Sequence, residues 1–151
     1  MFLLLLSLTL AFDPSLASNF HGLTWLTWSQ GTEAARRRQL PILAMFVDAA
    51  CTNCPRYFLA MAQHPEFRTF SRNFILVLLD ESDPYYNMEP LANEDYAPRF
   101  AFFSPAAKLL PFHSYQSSEF KYFYANIDQL VDAMHDVDDD LYDLRAHGWE
   151  V

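Results

Sequence analysis

Three short stretches of this chain are continuously apolar, whereas the segments between them mix polar and apolar positions. They cover residues 42–47 and 74–79, and the aromatic residues that follow Arg99 up to residue 103. A short uninterrupted apolar run is typical of a strand that is covered on both faces, as in the middle of a parallel or mixed sheet. The pattern therefore predicts three strands of one central sheet.

A fourth strand is expected over residues 108–115, antiparallel to the third. It would lie at a sheet edge, because Pro111 has no backbone N–H to donate to a neighbouring strand. Residues 81–95 are polar and contain two prolines, which predicts a loop between the second and third strands.

Helix-forming or helically spaced apolar residues mark three further segments. The predicted helices cover residues 29–39, 55–70 and 127–145. Ser29 and Asn126 are the candidate N-caps of the first and last helix, and Pro65 interrupts the second. The order of helix, strand, helix, strand, loop, strand, strand, helix predicts an α/β domain with a central mixed sheet flanked by helices.

The composition favours one folded domain. The chain has 151 residues, of which 52% are hydrophobic, with 14 Phe and 8 Tyr. This is enough apolar material for a core, and it argues against disorder. The net charge is −9, and the densest basic run, residues 36–38, lies within the first predicted helix, where a solvated helix face explains it. We therefore expect no nucleic-acid partner.

Residues 2–12 form a short apolar segment near the beginning of the chain, followed by the small residues Ser15 and Ala17. A membrane span needs about 20 apolar residues, so this segment is too short. Small residues at these two positions fit a signal-peptidase cleavage site, although no Lys or Arg precedes the apolar segment. We expect a signal peptide over residues 1–17 and one domain over residues 18–151, without a membrane span, in an oxidising secretory compartment.

The only two cysteines, Cys51 and Cys54, lie between the first predicted strand and the second predicted helix. The free N–H groups and the positive dipole end of a helix N-terminus stabilise a thiolate, so this position favours redox chemistry. We expect Cys51 to be the exposed attacking thiol with the lower pKa, and Cys54 to be the buried thiol that resolves the mixed disulfide.

Two other interpretations of the cysteine pair are less favoured. A purely structural disulfide would close a very small loop and would stabilise the fold little. A structural metal site needs four ligands, and neither His64 nor His113 has ligand spacing to the cysteines. We therefore expect no metal and no cofactor.

Two charged residues flank the cysteines. Asp48 either opposes the thiolate or carries its proton, or else it is a plain polar residue at the end of the strand, which we favour. Arg56 either adds positive field at the thiolate or faces solvent, and the sequence does not separate these alternatives.

The element order, with Cys-x-x-Cys at a strand-to-helix junction, resembles thioredoxin. A second feature agrees with this resemblance, because Pro98 directly precedes the third predicted strand. In thioredoxin-like proteins this position holds a cis-proline that faces the active-site cysteines. The resemblance implies a thioredoxin-like three-layer sandwich whose catalytic site contains Cys51, Cys54 and Pro98.

Several other stretches resemble one group of endoplasmic-reticulum proteins, the thioredoxin domain-containing protein 12 and anterior gradient family. These stretches are residues 25–28, 34–41, 96–100, 104–105 and 121–124. The resemblance implies a thiol–disulfide oxidoreductase of the endoplasmic reticulum lumen, or a secreted one. Its partners would be proteins with disulfides or thiols, and glutathione. The alternative is a non-enzymatic chaperone or secreted interaction protein of the anterior gradient type, although that branch typically lacks one of the two cysteines.

The chain departs from the family pattern at three places. Ala50 precedes the first cysteine where the family usually has Trp, and Met45 stands where many thioredoxins have a buried carboxylate. Residues 147–151 do not form a Lys-Asp-Glu-Leu-like retention signal. We therefore expect altered substrate docking, and either secretion or retention by a partner.

Overall fold

The computed structural model describes residues 18–116 and 118–148, so the expected signal peptide over residues 1–17 lies outside the described residues. The helices and strands are, in chain order, β1 (Ser18–Phe20), β2 (Leu23–Trp25), α1 (Trp28–Arg38), β3 (Ile42–Phe46), α2 (Cys54–Gln63), α3 (Pro65–Phe70), β4 (Ile75–Leu79), β5 (Arg99–Phe103) and α4 (Ile127–Ala146). Within these described ranges, no helix combines the length and the apolar character that crossing a membrane requires.

The three predicted strands form one mixed sheet in the order β4-β3-β5. The central strand β3 runs parallel to β4 and antiparallel to β5, so that Ile42 lies opposite Ile75 on one side and Phe103 on the other. Leu26 extends the sheet beyond β4, because its N–H donates to the Leu76 carbonyl at 2.9 Å. Every residue of the three strands is buried, as expected for strands covered on both faces.

Helices cover both faces of the sheet. Successive side chains of a strand point to opposite faces, so β3 directs Leu43 and Met45 to one apolar cluster and Ala44 and Phe46 to the other. Helices α2, α3 and α4 pack on the first cluster, and α1 packs on the second. The three-layer arrangement predicted from the sequence is therefore confirmed.

Helix α1 is capped by Thr27, so the prediction of Ser29 as its N-cap is wrong. The Thr27 hydroxyl accepts from the Gln30 N–H at 3.2 Å, and the Gln30 side chain accepts from the Thr27 N–H at 3.2 Å. This reciprocal pair is a capping box. One turn further, Gly31 lies so close to the sheet that a β-carbon there would overlap the Val77 side chain. The glycine therefore permits the close packing of α1 on β4.

The expected fourth strand over residues 108–115 is wrong. Leu109 makes only an isolated bridge with Phe103, and the Leu110 N–H donates to the Phe102 carbonyl at 2.8 Å. Pro111 follows directly and has no N–H with which to continue the pairing. Conversely, the short antiparallel hairpin of β1 and β2 was not predicted, since its alternation of polar and apolar residues covers only a few positions.

The helix expected over residues 55–70 is two helices, α2 and α3, joined at His64. The His64 Nδ1 atom accepts from the Phe67 N–H at 3.2 Å and so caps α3. Its Nε2 atom lies 2.7 Å from Asp128 Oδ1 at the start of α4. His64 therefore connects three helices, and in the described part of the chain no cluster of three His, Cys, Asp or Glu side chains is arranged to hold a metal ion.

Candidate active site

Cys51 and Cys54 lie in the connection between the central strand β3 and helix α2, and their sulfur atoms form a disulfide. Their Cα atoms are 5.5 Å apart. The turn before the helix is closed by two backbone bonds, from the Cys51 N–H to the Asp48 carbonyl at 3.2 Å and from the Cys54 N–H to the Cys51 carbonyl at 3.4 Å. The two cysteines thus lie beyond the C-terminal end of the central strand β3.

Helix α2 begins at Cys54, with Asn53 as its N-cap and Pro55 in its first turn. Cys51 therefore precedes the helix, and its sulfur is bonded to that of Cys54, the first residue of α2. Cys54 is 6% exposed, whereas Cys51 is only half-buried. The predicted difference in exposure is confirmed, and the lower pKa of the Cys51 thiol stays a prediction for the reduced protein.

Pro98 is buried and follows a cis peptide bond from Ala97, as the family resemblance implies. It directly precedes β5, whose first residue Arg99 lies opposite Phe46, the last residue of β3. Pro98 therefore lies at the same end of the sheet as the connection that contains the cysteines. The contact between Pro98 and the Cys51 sulfur stays a prediction.

The loop before Cys51 is tied to the end of the neighbouring strand β4. The Ala49 N–H donates to Glu81 Oε1 at 2.8 Å, a contact that the sequence pattern did not predict. The Oδ1 atom of Asp48 is buried and has no hydrogen-bond partner among the described residues. Asp48 as a whole is only half-buried, and the favoured interpretation of a plain polar residue at the strand end stays a prediction. Its action as a proton carrier stays a prediction.

Arg99 is the second residue near the site that sequence analysis did not single out. It is 2% exposed, and its Nη1 atom donates to the carbonyls of Leu91 at 2.7 Å and Glu94 at 2.8 Å. The guanidinium carbon lies 5.0 Å from the centre of the Phe46 ring and 4.8 Å from that of Tyr86. Arg99 thereby fastens the loop after β4, which leads into Pro98, to the sheet.

Arg99 has a detectable sequence signal. An arginine inside an aromatic strand has no water to solvate it, so it must find partners within the fold. The other cation near the cysteines, Arg56, is exposed on α2, which agrees with one of its two interpretations.

Burial raises the pKa of five tyrosines around the site above the ordinary value of 10. They are Tyr57, Tyr86, Tyr96, Tyr122 and Tyr124. In each case the loss of hydration disfavours the phenolate. The arginines oppose this at three of them, since Arg56 lowers the pKa of Tyr57 and Arg99 lowers those of Tyr86 and Tyr96, but burial dominates.

These raised pKa values predict a loss of stability at alkaline pH. An unfolded chain releases its tyrosine protons near pH 10, whereas the folded chain retains them, so the free energy of unfolding should fall as the pH rises above about 10. Below that pH the contribution should be fully present. Urea unfolding of the oxidised protein between about pH 8 and 11.5 measures the slope, and Tyr96→Phe should reduce it. A free energy of unfolding that stays constant over this range would contradict the prediction.

The sequence of residues 24–105, more than half of the chain, matches the profile of a thioredoxin-like protein family. The fold is also similar to solved structures of low sequence identity. A structure named DsbH oxidoreductase aligns at 18% identity over 83% of this chain and 91% of its own, with a TM-score of 0.52. The first thioredoxin domain of mouse protein disulfide-isomerase A4 aligns at 13% identity over 83% of this chain and 81% of its own, with a TM-score of 0.53.

A third structure, disulphide isomerase from Xylella fastidiosa Temecula1, aligns at 19% identity over 54% of this chain, with a TM-score of 0.42. The match spans 66% of that protein, just under two thirds of its length. The family assignment rests on the match to the family profile, the three-stranded mixed sheet, and the Cys-x-x-Cys disulfide between β3 and α2. On this basis the chain belongs to the thioredoxin-like family.

Proposed function

We propose that this chain is a thiol–disulfide oxidoreductase that reduces, forms or exchanges disulfides in protein substrates. The observation that carries the proposal is the Cys51–Cys54 disulfide, with one cysteine half-buried and the other buried at the first turn of α2. The accessible sulfur can attack a substrate disulfide, and the shielded sulfur beside it can then resolve the mixed disulfide. The names of two structural neighbours, an oxidoreductase and a domain of a protein disulfide-isomerase, support it.

In the reducing direction, the Cys51 thiolate attacks one sulfur of a substrate disulfide. The substrate S–S bond breaks, its other sulfur leaves as a thiolate and takes up a proton, and a mixed disulfide with Cys51 forms. Cys54 then loses its proton and attacks the Cys51 sulfur. The second substrate thiolate leaves, and two electrons have passed from the two cysteines to the substrate. Oxidation of a substrate dithiol is the same sequence in reverse.

We propose glutathione as the electron partner. Two glutathione molecules reduce the Cys51–Cys54 disulfide in two exchange steps, and they leave together as oxidised glutathione. This part is supported by the resemblance to the thioredoxin domain-containing protein 12 and anterior gradient family. The presence of both cysteines favours an enzyme of that family over its non-enzymatic members.

We also propose that the protein acts in the secretory pathway, either in the endoplasmic reticulum lumen or after secretion. The apolar segment over residues 2–12, followed by small residues at a fitting distance, supports a signal peptide. An oxidising compartment also suits a protein that cycles through a disulfide. N-terminal sequencing of the product from a secreting host tests this part, and an uncleaved intracellular product would contradict it.

The activity is tested with the reduction of a disulfide-containing protein, driven in turn by glutathione and by dithiothreitol. The matched control is the Cys51→Ser/Cys54→Ser double variant, which has no thiol. Wild type should accelerate reduction well above the uncatalysed rate with both reductants, and the double variant should not. Equal rates for wild type and the double variant would contradict the enzyme and favour the non-enzymatic interaction protein. Acceleration with dithiothreitol alone would reject glutathione and keep the oxidoreductase.

A further inference from the structure

A groove runs beside the cysteines between α2 and the segment that leads into α4. We call it the Arg56 groove, and it is lined chiefly by Asn53, Arg56, Tyr57, Phe123, Asn126 and Ile127. It begins next to the disulfide, because Asn53 lies between the two cysteines and caps α2. A substrate whose sulfur is bonded to Cys51 therefore has this groove within reach of its neighbouring residues.

A hydrogen bond joins the two elements that line the groove. The Tyr57 hydroxyl donates to the Tyr124 carbonyl at 2.6 Å, which joins α2 to the segment before α4. Tyr124 is 2% exposed, and Asn126 caps α4 by accepting from the Gln129 N–H at 3.0 Å. Both walls are thus fixed to helices, so the groove is formed before any ligand arrives.

The charge of the groove is opposite to that of the whole chain. Arg56 is the only charged side chain among the described residues that line it, and the chain carries a net charge of −9. Within the described ranges, no carboxylate lies within 4.0 Å of the Arg56 guanidinium. Arg56 acts on its surroundings even so, since it lowers the pKa of Tyr57. An exposed cation without an internal partner is available to an anionic group of a ligand.

A second depression beside the cysteine loop has the opposite character. It lies where β3 and β4 end, and Asp48, Asp80 and Glu81 are among its lining residues. These carboxylates repel an acidic ligand and leave the Arg56 groove as the place where its charge is balanced.

We propose that the Arg56 groove binds an acidic segment next to the reacting cysteine of a protein substrate, with a substrate carboxylate on Arg56. This inference rests on the proposed oxidoreductase function and adds its substrate class. Asn53 lies between the two cysteines, and Arg56 follows it by one helical turn, about 5.4 Å. Two residues of an extended peptide span a similar distance, about 6.6 Å. A carboxylate about two residues from the substrate cysteine therefore reaches the guanidinium, while the rings of Tyr57 and Phe123 contact the intervening chain.

The test uses the Cys54→Ser variant and short peptides whose single cysteine is bonded to an aromatic thiol that absorbs light when released. The Cys51 thiolate attacks the peptide sulfur, the bond to the aromatic thiol breaks, and the coloured thiolate leaves as the mixed disulfide forms. The peptides carry Glu, Gln or Lys two residues from the cysteine, on either side. We expect the Glu peptide to react about threefold faster than the Gln peptide, as for an exposed ion pair. At about 0.5 M salt the difference should disappear.

Substitutions of Arg56 test whether this residue binds the substrate carboxylate. In an Arg56→Gln background the Glu and Gln peptides should react equally fast, and Arg56→Lys should keep most of the preference. Arg37→Gln, which removes the same charge from the exposed face of α1, should leave the preference unchanged. If Arg56→Gln slows all peptides equally, Arg56 acts on the Cys51 thiolate and the groove proposal is overturned.

Glutathione bonded to the same aromatic thiol forms a separate arm. If Arg56→Gln slows its reaction and leaves the peptide preference intact, the groove binds glutathione and the substrate proposal is overturned. If all peptides react, and the Glu peptide reacts faster than the Gln peptide only when Arg56 is present, the proposal is supported. If neither the peptides nor glutathione react with Cys51, the oxidoreductase function itself fails, an outcome distinct from equal reaction of all peptides.

Discussion

Replacing Cys54 by serine is expected to convert the protein into a trap that remains covalently bound to its substrates, whereas Cys51→Ser is expected to bind none and to lose turnover completely. The reason is the difference in exposure, since Cys54 is 6% exposed and Cys51 is half-buried. A substrate disulfide can approach the Cys51 sulfur, but the resolving step requires the shielded thiol of Cys54. Non-reducing electrophoresis and mass spectrometry of the intact adducts measure the trapped fraction.

The two single variants control for one another, because each retains one thiol and differs only in its position. Dithiothreitol should cleave the adducts by reducing their mixed disulfides, and the double variant should form no adducts. Accumulation of adducts on Cys51→Ser at the rate seen for Cys54→Ser would reverse the assignment of the attacking thiol. Alkylation of the reduced wild type at about pH 6, followed by peptide mapping, gives an independent measurement, in which Cys51 should be labelled first because a thiolate reacts and a thiol does not.

Much of the fold could be predicted because the central strands are apolar on both faces. The runs at β3 and β4 contain no polar residue, so the sheet position follows without knowledge of the contacts. The start of the last helix was also predicted correctly, since Asn126 is a strong N-cap. Its end was predicted to within one residue. The capping box of Thr27 and Gln30 was not predicted, although both of its residues are visible in the sequence.

The rest depends on contacts between residues that are distant in the chain. The Cys-x-x-Cys spacing identified the reactive pair, but the anchor of its loop is Glu81, 32 residues after Ala49. The Arg56 groove is formed by two distant segments, which are joined by the bond from Tyr57 to the Tyr124 carbonyl, 67 residues away. Local propensity contains no information on such pairs. The fourth strand failed for a related reason, because a short apolar segment near Pro111 satisfies its backbone through single bonds to β5.

Replacing Arg99 by methionine is expected to lower the free energy of unfolding by about 3 kcal/mol and to loosen the loop that leads into Pro98. Each hydrogen bond from a charged donor contributes about 1.5–3 kcal/mol, and Nη1 makes two, to the Leu91 and Glu94 carbonyls. The contacts with the Phe46 and Tyr86 rings add to this loss, while removal of a buried charge offsets part of it. Since a domain is stable by about 5–15 kcal/mol, the change is a large fraction of the total.

Urea unfolding measures this loss, and hydrogen exchange locates it. Exchange should accelerate over residues 81–97 and change little in α4, because the broken bonds fasten only the loop. Arg99→Lys keeps the charge but not the flat group that contacts both rings, so it should restore about half of the stability. Arg37→Met, on the exposed face of α1, should leave stability within about 0.5 kcal/mol of wild type. A loss below about 1 kcal/mol in Arg99→Met would mean that the aromatic contacts and the sheet hold the loop without the guanidinium. In that case the approach of Pro98 to the cysteines would depend on β5 alone.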